Sequence, residues 1–167
     1  MKVVILAGGL GTRLSEYTKT IPKPMIKINK EPILIHIMKH YYKYGFKDFY
    51  VALGYKSNVI KNYFKKNKFM WKTNLIDTGK STMTGGRLKR LKKYLKNETF
   101  LMTYGDGVSD INIKKLINFH KKNKKIATLT AVRYKNPKGV LIFSNNSNVK
   151  KIKEKPIEYI NGGFFVL

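Results

Sequence analysis

Val3-Val4-Ile5-Leu6-Ala7-Gly8-Gly9-Leu10-Gly11-Thr12-Arg13-Leu14 decides the fold: an apolar strand runs straight into a glycine-rich loop. The near-continuous apolar run Lys2–Ala7 reads as a strand buried on both faces of a parallel sheet. Glycines let the backbone behind it turn sharply and come close to a ligand that a Cβ would obstruct. Successive backbone N–H groups in such a turn form a concave donor surface suited to phosphate oxygens. Arg13 adds a planar charged fork. Lys23 follows as a point charge between Pro22 and Pro24, whose rings limit the entropy lost in placing it. Two common phosphate loops are excluded. No Lys-Ser or Lys-Thr follows Gly11, as a P-loop requires. Leu14 stands where the third glycine of a dinucleotide fingerprint belongs, and lysine and isoleucine dominate the stretch beyond. A lone glycine pair would be only a tight connection; Gly-Gly-x-Gly-Thr-Arg directly after a buried strand points to a polyphosphate.

Outward from this loop, strands and helices alternate. Pro32 opens a helix that runs to Tyr44 and stops at Gly45, with Ile33, Leu34, Ile37, Met38, Tyr41 and Tyr42 on one broad face. Phe49–Leu53 reads as a strand, Asn58–Lys65 as a short helix and Asn74–Asp77 as a strand. Gly86–Leu95 reads as a helix on the spacing of Leu88, Leu91 and Leu95. Thr99–Tyr104 is a buried strand that delivers Gly105-Asp106-Gly107 at its C-terminal end. Asn112–Asn123 is a helix with Ile113, Leu116, Ile117 and His120 inward. Strands follow at Ala127–Val132, Gly139–Phe143, Val149–Lys153 and Phe164–Leu167. The expectation is an α/β fold: a mixed, mainly parallel central sheet flanked by helices, Rossmann-like, with a β-rich C-terminal part. At 167 residues the chain is expected to be one domain.

Lysine and arginine total 35 against 9 acidic residues, a formal charge of +26. Such a charge favours non-specific contact with phosphate polymers. Yet only Arg13, Arg87, Arg90 and Arg133 are arginine, lysines lie in nearly every segment, and no nucleic-acid-binding module is present. The composition is that of an AT-rich coding sequence, and no specific nucleic-acid partner is expected. No apolar run approaches the roughly 18 residues needed to span a bilayer, so no membrane partner is expected either. The N-terminal apolar stretch is too short for a signal peptide. The absence of cysteine excludes disulfides and thiolate zinc sites and fits a cytoplasmic location.

The opening loop and Pro22-Lys23-Pro24 resemble the signature of the sugar nucleotidyltransferases, the nucleotide-diphosphate-sugar pyrophosphorylases. Asp77-Thr78-Gly79 with Met83-Thr84-Gly85-Gly86-Arg87-Leu88-Lys89-Arg90 resembles their glucose-1-phosphate cytidylyltransferase branch. So do Thr103-Tyr104-Gly105-Asp106-Gly107-Val108 and Glu154-Lys155-Pro156 followed by Asn161-Gly162-Gly163-Phe164. The blocks span the chain in the family's order. The resemblance implies CTP and a sugar 1-phosphate as substrates, CDP-glucose and pyrophosphate as products, and Mg²⁺ as cofactor. It assigns the nucleotide to Leu6, Ala7, Gly8, Gly9, Leu10, Gly11, Thr12, Arg13, Lys23, Thr82, Arg87 and Gly105. Arg13 and Lys23 carry the catalytic roles, Arg13 at the triphosphate and leaving group and Lys23 at the reacting phosphates. Glu154, Lys155 and Asn161 are assigned to the sugar phosphate.

Several of these residues read two ways unaided. Asp106, at the C-terminal edge of a strand, suits Mg²⁺ and equally suits a Gly-Asp-Gly turn; the resemblance makes it the metal ligand. Arg87 reads as a nucleotide contact or as a solvated residue at a helix start. His36 and His40, four apart on one helix, could share a metal but have no apparent third ligand, so a packed or solvated pair is expected. Tyr41, Tyr42, Tyr44 and Phe46 read as core and subunit contacts, and a homo-oligomer is among the expectations.

Two departures from the family stand out. The segment between Phe64 and Asp77 is shorter than in the cytidylyltransferases. The sequence reaches Leu167 where the family continues to a region with a second metal-binding aspartate, so Phe164–Leu167 is expected to be an uncovered apolar strand. The alternatives to an active cytidylyltransferase are a catalytically impaired remnant that binds nucleotide or sugar phosphate, and a related pyrophosphorylase with another nucleotide or sugar.

Overall fold

The computed structural model describes residues 1–11, 20–96 and 98–167. They form two compact units: Met1–Thr128 with Gly163–Leu167, and Leu129–Gly162.

The larger unit is built on strands β1 (Val3–Leu6), β4 (Asp48–Leu53), β5 (Lys72–Asp77) and β6 (Leu101–Tyr104). They lie in the order β5-β4-β1-β6. All three neighbouring pairs are parallel, with Val3 opposite Phe49 and Leu101. Between them run helices α1 (Ile33–Lys43), α2 (Ser57–Lys66), α3 (Thr84–Leu95) and α4 (Ile113–Asn123). Alternation along β1 divides the core. Val3 and Ile5 pack with α1, α2 and α4 through Leu34, Met38, Ile60 and Ile113. Val4 faces the other way, with Tyr50, Ala52 and Met102, against Leu91 and Leu95 of α3. A sheet covered on both faces requires the unbroken apolar strand that the sequence has here. Each fully buried aliphatic side chain contributes roughly 1.5–3 kcal/mol.

The helix boundaries follow local chemistry. Pro32, the residue before α1, has φ −58° and ψ 144°, an extended conformation that it holds without cost to the helix ladder. Asn112 caps α4 by accepting a hydrogen bond from the Lys115 N–H at 3.0 Å. Helix α3 begins at Thr84, two residues before the sequence expectation, so Gly85 and Gly86 fall inside its first turn. Between β1 and α1, β2 (Lys27–Ile28) and β3 (Glu31–Pro32) form a short hairpin. Asn29 and Lys30 at its tip both have positive φ, as a two-residue primed turn requires.

The expectation for Phe164–Leu167 is corrected. These residues end a longer strand, β10 (Ile157–Val166), which pairs antiparallel with β6, Phe164 opposite Thr103. Leu167 and Phe100 exchange both backbone hydrogen bonds, at 2.9 and 3.0 Å. Phe164 is 3% exposed and Val166 is fully buried, so the run is core rather than an uncovered edge. Antiparallel addition to β6 satisfies the backbone on that side and turns Phe164 and Val166 inward.

The smaller unit holds most of β7 (Thr128–Lys135) and of β10, with the antiparallel pair β8 (Val140–Phe143) and β9 (Val149–Lys153). Among the described residues, no helix is long and apolar enough to cross a membrane.

Candidate active site

At the C-terminal ends of β1 and β6, the larger unit carries a cavity of about 240 Å³. Its walls are Leu6, Ala7, Gly8, Gly9, Gly11, Lys23, Pro24, Thr82, Met83, Thr84, Arg87, Tyr104 and Asp106. Parallel α/β sheets bind ligands at this edge because the loops leaving the strands gather there.

The glycine loop is held to the sheet by its first residues. The Ala7 N–H donates to the Ala52 carbonyl at 2.9 Å, and the Leu6 carbonyl accepts from the Gly105 N–H at 2.9 Å. The Gly8 carbonyl accepts from the Tyr55 N–H at 3.1 Å. The Gly8 and Gly9 N–H groups have no partner among the described residues. Gly11 takes φ +66°, which only glycine adopts freely. Two amides unpaired among the described residues, on a cavity wall, are donors of the kind that suit phosphate oxygens.

Lys23 opens a short 3-10 turn, Lys23–Met25, and Pro24 and Met25 are buried beneath it. That anchoring sets Lys23 on the cavity wall, where its ammonium donates to Asp106 Oδ2 at 2.6 Å. Asp106 stands one residue beyond Gly105, whose backbone is tied to Leu6. A Cβ on Gly105 would lie 3.0 Å from the Leu6 carbonyl and 3.1 Å from Pro24 Cγ, so glycine there permits the close meeting of the two loops.

Arg87 is buried, at 4% exposure, which rules out the reading as a solvated helix-start cation. Its Nη1 donates to the Leu53 carbonyl at 3.0 Å, Thr78 Oγ1 at 2.7 Å and the Gly79 carbonyl at 2.9 Å. Its Nη2 donates to the Gly8 carbonyl at 2.8 Å and reaches the Lys80 carbonyl at 3.4 Å. Burial lowers its pKa from the ordinary arginine value; the Arg90 charge acts in the same direction and Asp77 opposes it.

The structure thus brings Leu6, Ala7, Gly8, Gly9, Gly11, Lys23, Thr82, Arg87 and Asp106 around one cavity. Leu10 is exposed and Gly105 buried, and neither forms part of the wall. Thr12 and Arg13 lie outside the described residues. Glu154, Lys155 and Asn161 belong to the smaller unit: Glu154 ends up exposed beyond β9, Lys155 takes φ +41° in the turn before β10, and Asn161 lies within β10. Sequence reasoning missed Pro24, Met83, Thr84 and Tyr104 as wall residues. Each adjoins a motif residue, and that adjacency was the available signal.

Asp106 fits a magnesium ion in its chemistry. It is a hard oxygen donor on the wall that also holds the free amides, and Mg²⁺ commonly takes one or two carboxylates, completing its shell with water and phosphate. No cluster of three or more His, Cys, Asp or Glu side chains suited to a metal exists among the described residues. The pair His36 and His40 is occupied otherwise: their Nε2 atoms lie 2.9 Å from the Ile28 and Ile111 carbonyls.

At the strand ends of a parallel α/β sheet, glycine amides unpaired among the described residues, a lysine and a carboxylate line one cavity, an arrangement whose chemistry suits a polyphosphate. Residues 2–166 match the Nucleotidyl transferase family, and the chain belongs to it. It is 49% identical over 194 aligned residues to the glucose-1-phosphate cytidylyltransferase of Salmonella typhimurium, covering 100% of this chain and 75% of that protein. Identity to the probable glucose-1-phosphate cytidylyltransferase of Bacillus subtilis is 42% over 190 residues, covering 100% and 74%. Among solved structures, HddC from Yersinia pseudotuberculosis complexed with GMP-PN superposes with a TM-score of 0.75 at 30% identity, covering 99% of this chain and 76% of that one.

Proposed function

We propose that the protein joins CTP and glucose 1-phosphate to give CDP-glucose and pyrophosphate. The observation that carries this reading is the gathering of the Gly8 and Gly9 amides, unpaired among the described residues, with Lys23 and Asp106 around one cavity, in a chain 49% identical to a glucose-1-phosphate cytidylyltransferase. A phosphate oxygen of the sugar phosphate attacks the α-phosphorus of CTP. The new O–Pα bond forms as the bond from Pα to the bridging oxygen breaks, and pyrophosphate leaves. Both reactants are already anionic, so the protein need supply no nucleophile, and its contribution is positioning and charge stabilisation. The Gly8 and Gly9 amides donate to phosphate oxygens. Lys23 exchanges Asp106 for the reacting phosphates, and Arg13 serves the leaving pyrophosphate. Thr82 and its neighbours take the nucleoside end. Glu154, Lys155 and Asn161, in the smaller unit, take the sugar phosphate. Asp106 would hold Mg²⁺, which when bound neutralises charge on the triphosphate.

Pyrophosphate release tests this. With glucose 1-phosphate and Mg²⁺, CTP should give a higher kcat/KM than GTP, UTP or dTTP. Equal values for all four would leave only a nucleotidyltransferase without a base preference. CTP binding without turnover on any sugar 1-phosphate would identify a binding protein instead.

A further inference from the structure

We propose that the outer face of α3 is a docking surface for the phosphate backbone of a single-stranded nucleic acid, bound without regard to base sequence.

Five side chains, Lys89, Arg90, Lys92, Lys93 and Lys96, line an open groove of about 610 Å³ on the larger unit, and all five are cations. None of them lines the nucleotide cavity, so the groove is a separate surface. The helix dictates the grouping. Leu91 and Leu95 are buried and Leu88 packs against the same cluster, which turns the residues between them to solvent. Positions three and four apart share a face, so Lys89 stands beside Lys92 and Lys93, and Arg90 beside Lys93. Lys96, at the helix C-cap, continues the row, which extends about 10 Å from Lys89 at a helical rise of about 1.5 Å per residue.

Charge on this face is uncompensated. No carboxylate lies within ion-pair distance of any of the five among the described residues. No acidic residue occurs from Thr78 to Asn97, and Glu98 beyond them pairs with Lys2. Like charges three or four apart destabilise a helix. Helix α4 carries four exposed lysines too, but Lys114 and Lys115 stand too far from Lys121 and Lys122 to repel in this way. A polyanion laid along α3 removes the repulsion and releases counterions. Arg90 donates to the Thr78 carbonyl at 2.5 Å, which leaves the four lysines to make the contacts.

The same observations select the partner. One row of cations in a groove matches one strand, whereas a bilayer presents a flat surface. The leucines of α3 are spent in the core, so the helix has no apolar face left to enter a membrane. Bases find no platform either. Tyr94, the one aromatic residue of α3, has the Lys93 ammonium over its ring at 5.0 Å and packs against Tyr50 at 5.9 Å. The contacts are therefore to phosphate, which holds a strand but reads no sequence.

Fluorescence anisotropy of labelled oligouridylate and oligothymidylate with the whole chain tests this. Wild type is compared with Lys89→Gln/Lys92→Gln/Lys93→Gln/Lys96→Gln and with Lys114→Gln/Lys115→Gln/Lys121→Gln/Lys122→Gln. Both variants lose four charges and keep a good helix former at each position, so they differ in where the charge is lost. At low salt the α3 variant should bind either oligonucleotide about tenfold more weakly or worse, and its slope of log K against log salt should flatten by about 2.8, four contacts at about 0.7 each. The α4 variant should stay within about threefold of wild type. Equal losses in the two variants would overturn the proposal, since attraction to the net charge would explain both. Tighter binding of the same lysines to anionic phospholipid vesicles or to polyglutamate than to the oligonucleotides would overturn it by naming another occupant. Displacement of oligouridylate by CTP with Mg²⁺ would overturn it as well, because the strand would then lie in the nucleotide cavity. A wild type that binds neither oligonucleotide ends the proposal outright. The α3 variant should melt no lower than wild type, because its repulsion is gone; should it fail to fold, Lys92→Gln and Lys96→Gln alone take its place, each expected to flatten the slope by about 0.7. Oligonucleotide binding without CTP turnover would sink the cytidylyltransferase reading and leave this surface standing.

Discussion

Replacing Lys23 by alanine should tighten divalent-metal binding to the nucleotide-free protein even as it slows turnover. The ammonium of Lys23 lies 2.6 Å from Asp106 Oδ2, and the two side chains are 31% and 36% exposed. An ion pair this open to water is worth about 0.2–1 kcal/mol. A metal ion that takes Asp106 as ligand must displace the ammonium, so this energy opposes metal binding when no phosphate is present to receive Lys23. Its removal should raise the affinity for Mn²⁺ or Mg²⁺ by about 1.4- to 5-fold. With CTP bound, Lys23 has the phosphates as partner, and the advantage of the variant should vanish or reverse. Thermal stability should fall by less than about 1 kcal/mol. Turnover should drop by more than CTP affinity, because the lost charge acts on the reacting phosphates. Manganese titration followed by electron paramagnetic resonance, at fixed ionic strength with and without CTP, reads the effect directly. Metal affinity in nucleotide-free Lys23→Ala equal to or weaker than wild type would refute the idea that ammonium and metal share Asp106.

Asp106→Asn should raise the Mg²⁺ concentration needed for half-maximal pyrophosphate release by about tenfold or more, since a neutral amide replaces the charged donor; an unchanged metal profile would remove Asp106 from the metal site. Thr73→Val in β5 deletes a buried hydroxyl that lacks a partner among the described residues, and denaturant unfolding should find stability unchanged or raised by about 1 kcal/mol. Burial pushes the phenol of Tyr41 well above the ordinary tyrosine value. The folded state therefore keeps this proton after the unfolded chain has lost it. Stability from Tyr41 is complete below about pH 10 and declines by roughly 1.4 kcal/mol per pH unit above it until the folded-state value is passed; phenolate absorbance and unfolding should appear together in an alkaline titration, and independent early ionisation of all tyrosines would contradict it.

Much of this arrangement was legible in the sequence because its signals are local. The run Val3–Leu6 and the glycines behind it need no partner to be read as a buried strand and a sharp turn, and both occur where expected. Helix α1 could be bounded from Pro32 and Gly45 alone. The misreadings arise where the deciding contact is distant. Phe164–Leu167 resembled an uncovered strand because nothing near it in sequence indicates pairing with β6, some 60 residues earlier, as in the bond from Thr103 Oγ1 to the Gly163 carbonyl. Helix α3 starts at Thr84 and not at Gly86, because the spacing of Leu88, Leu91 and Leu95 carries no signal for the first turn, whose amides have no intrahelical acceptor. Arg87 could be placed beside the nucleotide by resemblance, but its burial and its acceptors depend on three segments that only the fold brings together.

That last case bears on what the glycine-rich signature means. The bond between Arg87 and Gly8 spans 79 positions. A loop cut from this context would retain its glycines but lose the arginine that fixes the Gly8 carbonyl, and glycine peptides left alone sample both directions freely. Part of what fixes the loop's backbone therefore comes from outside the loop. The same block, Thr82 to Arg87, places Thr82, Met83, Thr84 and Arg87 on the cavity wall, and Arg87 also donates to the Gly8 carbonyl. One helix start therefore both contributes to the cavity wall and ties down the glycine loop. A change there that alters the wall also risks moving the Gly8 peptide, unless the arginine and its two facing glycines, Gly8 and Gly54, stay in place.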